Sequence, residues 1–404
     1  MTFDNSLFTT NLWDLADYTN GRPTKPSELV KQGIPVIKIA ELSRGITAQT
    51  NMVSRHVVDP KHIIRAGDLL FAWSGTIGIH MYNGPEAALN QHIFKVVAKD
   101  FIDQAYLRYL LEEQLRVLQG FVEEKKTTMG HVTIANLKTV EVSIPTDLNK
   151  QRSIASYIES LDNLLNVGEK KGKTLEEIAQ TIFKSWFIDF DPVKAKMAGE
   201  KPAGMDAATA ALFPDSMEES ELGLIPKGWG VRSIGDSVIK KKVGKLFDSK
   251  TSFPSGSTPV LDQGKSGVVG FHDEEPGVFA SPDEPLVVFA NHTCLLRLIS
   301  YPFSVIQNVF PLVGNEVDVI WLYFAVEGKQ QFDSYKGHWP DFVLHKIIHP
   351  TENATNAFRL VVEPLLNQKW LLEQQSKLLA HLRDSLLPRL ISGELQIPEE
   401  MLAS

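Results

Sequence analysis

Residues Ile154–Phe187 read IASYIESLDNLLNVGEKKGKTLEEIAQTIFKSWF, and this stretch decides the fold. Its apolar residues recur at alternating steps of three and four: Ile158, Leu161, Leu165, then Leu175, Ala179 and Ile182. That spacing predicts a seam along one side of a helix longer than an ordinary globular one. The pattern returns near the C-terminus under a constant shift: Ile158 falls on Val362, Leu161 on Leu365, Leu175 on Leu379 and Ile182 on Leu386. Polar positions echo too, with Glu159 on Glu363, Glu169 on Glu373 and Lys173 on Lys377. Leu372 completes the second seam. Gly168 and Gly172 interrupt the first, and are read as points of close approach to Leu372 or Ser376, or as a local bend. A long helix repeated half a chain later implies a duplicated architecture.

Outward from the helices, the chain reads as domain, helix, linker, domain, helix. Residues 1–148 form a strand-rich domain, with β-type runs at Ile34–Ile39, Asp68–Trp73 and Thr139–Ile144 between Gly, Pro and Asn turns. A helix is predicted over Ile102–Val122, with Asp103 as the favourable acid at its start. The first long helix occupies 149–190. Residues 191–226 are read as a linker, interrupted by Pro192, Pro202, Pro214 and Pro226. Residues 227–355 repeat the first domain's landmarks in order. Thr258-Pro-Val-Leu261 matches Ile34-Pro-Val-Ile37, Ile306–Phe310 matches Asn90–Phe94, and Lys336-Gly-His-Trp339 matches Met129-Gly-His-Val132. The second long helix and a tail fill 356–404, with Phe358–Ile391 as its core and Pro364 as a kink or a delayed start.

The bulk numbers bound the class. At 404 residues two or more domains are expected, and 43% hydrophobic with 22% charged residues is the composition of a folded protein. One cysteine, Cys294, excludes a disulfide framework and a four-thiolate zinc site, and fits a reducing cytoplasm. No signal-peptide core and no run of membrane-helix length is visible, so the expectation is a cytoplasmic protein. The net charge of −8 argues against a nucleic-acid partner, but its distribution argues the other way. Residues 22–65 hold eight Lys/Arg against three acids, and residues 227–272 again hold eight against three.

Catalytic patterns are missing. There is no P-loop, no nucleophile elbow, no HExxH and no Asn/Asp-Pro-Pro-aromatic tetrapeptide of adenine methyltransferases. Glu123-Glu-Lys125 satisfies half of a metal-nuclease pattern, but chance supplies about five such triplets in this composition. No metal site and no bound cofactor are expected. The geometry suggests a ruler instead. Two copies related by a dyad across the helix axes must run antiparallel, sending the domains to opposite ends. A helix of about 34 residues spans roughly 50 Å, against about 34–36 Å between duplex half-sites one turn apart. Divergent domains would then read an asymmetric site.

At this point the chain resembles the DNA-specificity subunits of type I restriction-modification systems. The residues that carry the resemblance are Gly67-Asp-Leu-Leu-Phe-Ala-Trp-Ser-Gly-Thr-Ile-Gly78, the strand Asn136–Pro145 with Gln151-Arg-Ser-Ile154 after it, and the duplicated helix. The second half departs from this pattern. Glu284–His292 stands where the first half has GDLL, and Asn356-Ala-Phe-Arg359 stands in place of Gln-Arg.

The resemblance implies an α+β fold of two target recognition domains. Each is followed by a conserved spacer helix, the helices packing as an antiparallel coiled coil with pseudo-twofold symmetry. It implies a subunit without catalysis that binds double-stranded DNA at a bipartite site and docks two methyltransferase (modification) subunits, with restriction subunits in the holoenzyme. S-adenosylmethionine, ATP and magnesium would belong to those partners. The competing reading is a self-contained nuclease or methyltransferase. Candidate phosphate anchors are Lys25, Lys38, Arg44, Lys125, Lys126, Lys240, Lys241, Lys242, Lys245 and Lys336. Gln91 and Gln307 suit bidentate pairing with adenine, and Ser74, Thr76, His131, Gln263 and His338 suit base edges or backbone.

Overall fold

The run Leu69-Leu-Phe-Ala72 is buried at every position because its two faces serve two cores. Leu69 and Phe71 join one apolar cluster with Tyr106, Leu107 and Leu110, while Leu70 and Ala72 join another with Ile37 and Leu89. The second half does the same with a different sequence. In Leu286-Val-Val-Phe-Ala290, Val287 and Phe289 face one cluster, Leu286 and Val288 the other. Alternation across a strand covered on both sides accounts for both unbroken apolar runs. Glu284–His292 therefore does occupy the place of GDLL.

The computed structural model describes residues 7–123, 130–264, 267–395 and 397. It divides into two units, one formed by Met1–Asn166 with Ser376–Ser404, the other by Val167–Gln375. Within the first unit, Leu7–Asn11 pairs antiparallel with Glu141–Pro145. An antiparallel sheet follows in the order Ala16–Asn20, Ile93–Ala98, Leu69–Ala72, Gly78–Met81. A second sheet runs Met52–Val53, Leu29–Ile37, Ala87–Leu89, Ile63–Ile64, with its middle pair parallel.

The second unit repeats this plan. Gly230–Ser233 pairs with Lys346–His349, and the antiparallel sheet reads Val238–Lys240, Val309–Gly314, Leu286–Ala290, Leu296–Ile299. In its other sheet Thr258–Leu261 and Ser304–Ile306 are again the parallel middle pair. The edge strand differs: Leu246–Phe247 lies parallel to Ser304–Ile306, whereas Ile63–Ile64 lies antiparallel to Ala87–Leu89.

Both long helices have 40 residues, Leu148–Phe187 and Glu352–Ile391, so the shift of 204 read from the seam holds at both ends. The second begins four residues before the expected 356, and Pro364 neither delays nor ends it. Pro364 is exposed, and Leu360, four residues back, is 73% exposed, so water can satisfy the carbonyl that proline leaves without a donor.

The helices pair antiparallel within each unit. In the first, Asp162 bonds Arg383 at 2.8 Å, and Ile154, Ile158, Leu390 and Ile391 share one core. In the second, Glu176 pairs with Lys369 at 3.2 Å while Phe183 meets Phe358 with ring centroids 5.7 Å apart. Of the expected seam, Ile158, Leu161 and Val362 are buried, and Leu165, Leu175, Ile182, Leu365, Leu372, Leu379 and Leu386 half-buried. Gly172 does not mark a close approach to Leu372 or Ser376. It faces Lys369, and an added Cβ would make an ordinary 3.7 Å contact.

One device joins each domain to its helix. Asp103 caps the helix Gln104–Glu113, accepting from the Ala105 and Tyr106 amides, and its own N–H donates to Gln151 Oε1 at 2.7 Å. Asp318 caps Val319–Val326 in the same way, and its N–H donates to Thr355 Oγ1 at 3.0 Å. Arg359 then meets Asp318, as Arg152 meets Asp103, both at 3.4 Å. The Gln-Arg pair missing from the second half is thus replaced in function by Thr355 and Arg359.

Two expectations are corrected. The helix over 102–122 is two, Gln104–Glu113 and Leu115–Glu123. Residues 191–226 are not a bare linker: they hold helices Asp191–Met197 and Ala207–Ala211 and the hairpin Met217–Ser220/Gly223–Pro226. Val193, Phe213 and Ile225 anchor the segment in the second unit's core beside Trp186, Phe187 and Trp229. These anchors follow no helical or strand period, so composition alone suggested a spacer.

Candidate nucleic-acid interface

In the first unit the strand Leu69–Ala72 ends in the turn Trp73-Ser-Gly-Thr-Ile77. Gly75 has φ +67° there, a conformation that favours glycine. Thr76 stands exposed at the tip, and the Ile39 side chain lies 3.7 Å from where a Gly75 Cβ would be. This brings Lys38, at the start of helix Ile39–Arg44, beside the turn. Asn90 N–H donates to the Ile37 carbonyl, setting Gln91 and His92 on the same side.

Trp73 is the hub. Its N–H donates to the His92 carbonyl, its carbonyl accepts from Val132 N–H, and its Nε1 donates to Asn20 Oδ1 at 3.1 Å. Its ring lies 5.5 Å from that of His92 and 6.1 Å from that of His131. Gln91 is half-buried with its Nε2 3.3 Å from His92 Nε2. The fold therefore gathers Lys38, Ser74, Thr76, Gln91 and His131, which are far apart in sequence. Ser74 itself is buried and serves the bridge to His131, so it is corrected from reader to support.

The second unit builds the same place from other groups. Asn291 makes Trp73's backbone contacts: its N–H donates to the Asn308 carbonyl and its carbonyl accepts from His338 N–H. By that bond His338 corresponds to Val132, not to His131. His338 is fully buried, with Nε2 3.0 Å from the Ser334 carbonyl, and cannot reach a base as expected.

Gln263 is also corrected. Its Nε2 donates to the Gln307 carbonyl, its Oε1 accepts from His292 N–H at 2.7 Å, and its carbonyl accepts from Thr293 Oγ1. Both ends of the amide are occupied, so it ties loops together. Arg297 holds that loop from behind, donating to the Gly267 carbonyl at 2.7 Å and to the Asp262 carbonyl. Gln307 remains exposed, with no side-chain partner among the described residues.

The cations separate into free and spent. Lys25, Lys38, Arg44, Lys241 and Lys242 make no ion pair among the described residues. Lys240 is no free phosphate anchor. Its Nζ sits 3.7 Å from the Trp339 ring centroid and 3.8 Å from that of Phe310, and burial holds its pKa below the usual lysine value. Lys245 pairs with Glu274. Lys336 is corrected as well: Asp341 at 3.1 Å and Asp333 at 3.3 Å neutralise it, and these bonds raise its pKa. Lys125 and Lys126 lie outside the described residues.

Sequence reading missed Trp73, His92, Asn291 and His292. The flanking positions of the matched landmarks were the available signal for them. Among the described residues, no group of three or more His, Cys, Asp or Glu side chains is arranged to hold a metal, and no helix is long and apolar enough to cross a membrane.

Comparison with known proteins agrees with this arrangement. Residues 9–178 match the family model described as type I restriction modification DNA specificity domain. The chain is 23% identical over 372 residues to the type I restriction enzyme MjaIX specificity subunit of Methanocaldococcus jannaschii, covering 83% of this chain and 79% of that one. It is 24% identical over 370 residues to the HindI specificity subunit of Haemophilus influenzae, covering 74% and 78%. Its fold is similar to the crystal structure of the type I restriction-modification system S subunit from M. genitalium, with a TM-score of 0.55 at 15% identity, covering 97% and 98% of the two chains. Two units of one strand plan, each holding part of the paired long helices, are the arrangement this chain presents. Residues 9–178 thus match that specificity-domain family, and the chain as a whole is similar to type I restriction-modification specificity subunits.

Proposed function

We propose that this chain is the non-catalytic specificity subunit of a type I restriction-modification complex, each unit reading one half of an asymmetric bipartite DNA site. The observation that carries this reading is the shared plan with divergent tips. The same strand ends present Trp73, Gln91 and His92 in one unit and Asn291, Gln307 and Asn308 in the other. Free cations beside the tips (Lys38 and Arg44, Lys241 and Lys242) supply phosphate contacts, which position the reader without specifying sequence.

Catalysis, with its S-adenosylmethionine, magnesium and ATP, is assigned to partner subunits. The two long helices set the gap between half-sites and dock two modification subunits. Exposed apolar side chains on them, among them Leu164, Leu360, Leu371 and Leu378, offer the docking surface.

A methylation map of DNA modified by the assembled complex tests the reading. Two unlike half-sites flanking an unread gap are expected, and the chain alone, given S-adenosylmethionine and magnesium, should neither methylate nor cleave DNA. A palindromic map, or activity from the chain alone, overturns it.

A further inference from the structure

Tyr335 is 85% exposed, the most exposed large apolar side chain among the described residues, and Phe332 in the same loop is 56% exposed. The segment Gly328–Gly337 that carries them is held firmly. Buried His338 fixes its end, bonding the Asn291 carbonyl through N–H and the Ser334 carbonyl through Nε2. Trp339 N–H donates to Asn291 Oδ1 at 2.7 Å. At the other end Gln330 Oε1 lies 3.0 Å from His345 Nε2. Gly337 is closely packed, since a Cβ there would come 3.0 Å from Asn291 Nδ2. A rigid loop thus presents an aromatic ring with only two side-chain torsions to freeze on contact, an inexpensive way to offer binding area.

The ring's neighbours say what it meets. Tyr335 lies 5.3 Å from the His292 ring. His292 N–H is held by Gln263, which also holds the Gln307 carbonyl. Tyr335 therefore shares one continuous edge with Gln307, the free side chain suited to a base. The cation next to the ring, Lys336, is neutralised by Asp333 and Asp341, while the loop's other lysine, Lys329, stands six residues before the ring at the start of the loop. What Tyr335 itself offers a duplex is the ring, not charge.

We propose that Tyr335 is a specificity-determining residue of the second unit, packing its ring against base pairs of the half-site which that unit reads. Apolar contact with base edges, such as a thymine methyl, discriminates sequence in the major groove. The inference rests on the DNA-reading function proposed above. A protein partner on the same loop is the competing occupant.

The test is a competition binding titration of the full chain assembled with its modification subunits. The duplexes are the cognate site, each half-site scrambled separately, and both scrambled. Tyr335→Ala should weaken cognate binding roughly tenfold, with the loss vanishing when one half-site, and only one, is scrambled. Binding to the doubly scrambled duplex and the salt slope should match wild type, and Tyr335→Phe should keep most of the affinity. Equal affinity of Tyr335→Ala and wild type on all duplexes, or an equal loss on all of them, overturns the proposal. So does impaired assembly with the modification subunits when DNA discrimination is intact. A wild-type complex that fails to discriminate among the duplexes instead overturns the DNA-reading function itself.

Discussion

The two units keep one backbone plan and share few side chains at the places where they would touch DNA. Their strand orders match, their parallel middle pairs match, and Asp103 and Asp318 cap matching helices. The tip of the first is an aromatic hub, Trp73 with His92 and His131. The tip of the second is an amide clamp, Asn291 with Gln263, beside a lysine held on two rings. Backbone hydrogen bonds need no particular side chain, so the framework survives divergence while the tips are free to change.

The largest expected effects test the framework. Phe71→Ala and Phe289→Ala remove equivalent fully buried rings, and each should cost about 3–5 kcal/mol in urea unfolding. If one is costly and the other cheap, the units are not equivalent. Next come Gln151→Ala and Thr355→Ala, which strip the acceptor from the Asp103 or Asp318 amide, at about 1–3 kcal/mol each. Gln151 should be the costlier, because it also donates to the Phe101 and Pro145 carbonyls.

Smaller effects sharpen the contrast between free and spent cations. Replacing both Lys241 and Lys242 by Ala should weaken DNA binding by the complex for every sequence alike. It should also lower the slope of log affinity against log salt by about 2. Lys38 and Arg44 replaced together should do the same from the first unit. Lys336→Ala should change affinity less than about twofold, since two aspartates already hold its charge. A slope change equal to that of the Lys241 and Lys242 pair would show that those ion pairs open on DNA.

How far this was legible follows from what is local. The seam of Ile158, Leu161, Val362 and Leu365 lies within one helix each, so period alone revealed the pair and its offset. Asp103 as an acid at the helix start was legible for the same reason, while its place as the cap came from the structure. Burial of Phe213 and Ile225 was not, because it depends on Trp186 and Trp229 arriving from other segments. The matching of His338 to His131 failed by one residue. Aligned motifs say nothing of which N–H reaches the carbonyl at the end of the preceding strand. Lys240 and Lys336 looked like anchors because sequence displays charge and hides its partners.

The end of the second helix packs in the first unit, where Tyr106 Oη bonds the Ile391 carbonyl and Leu390 and Ile391 share a core with Ile154 and Ile158. During synthesis, that core stays open until nearly the whole chain has left the ribosome. The unit that begins first is finished last, and for most of translation its apolar surface is exposed to misassembly. A chain cut short before residue 376 would leave the Ile154 and Ile158 side of the first unit's core uncovered, as well as lacking the end of its second helix.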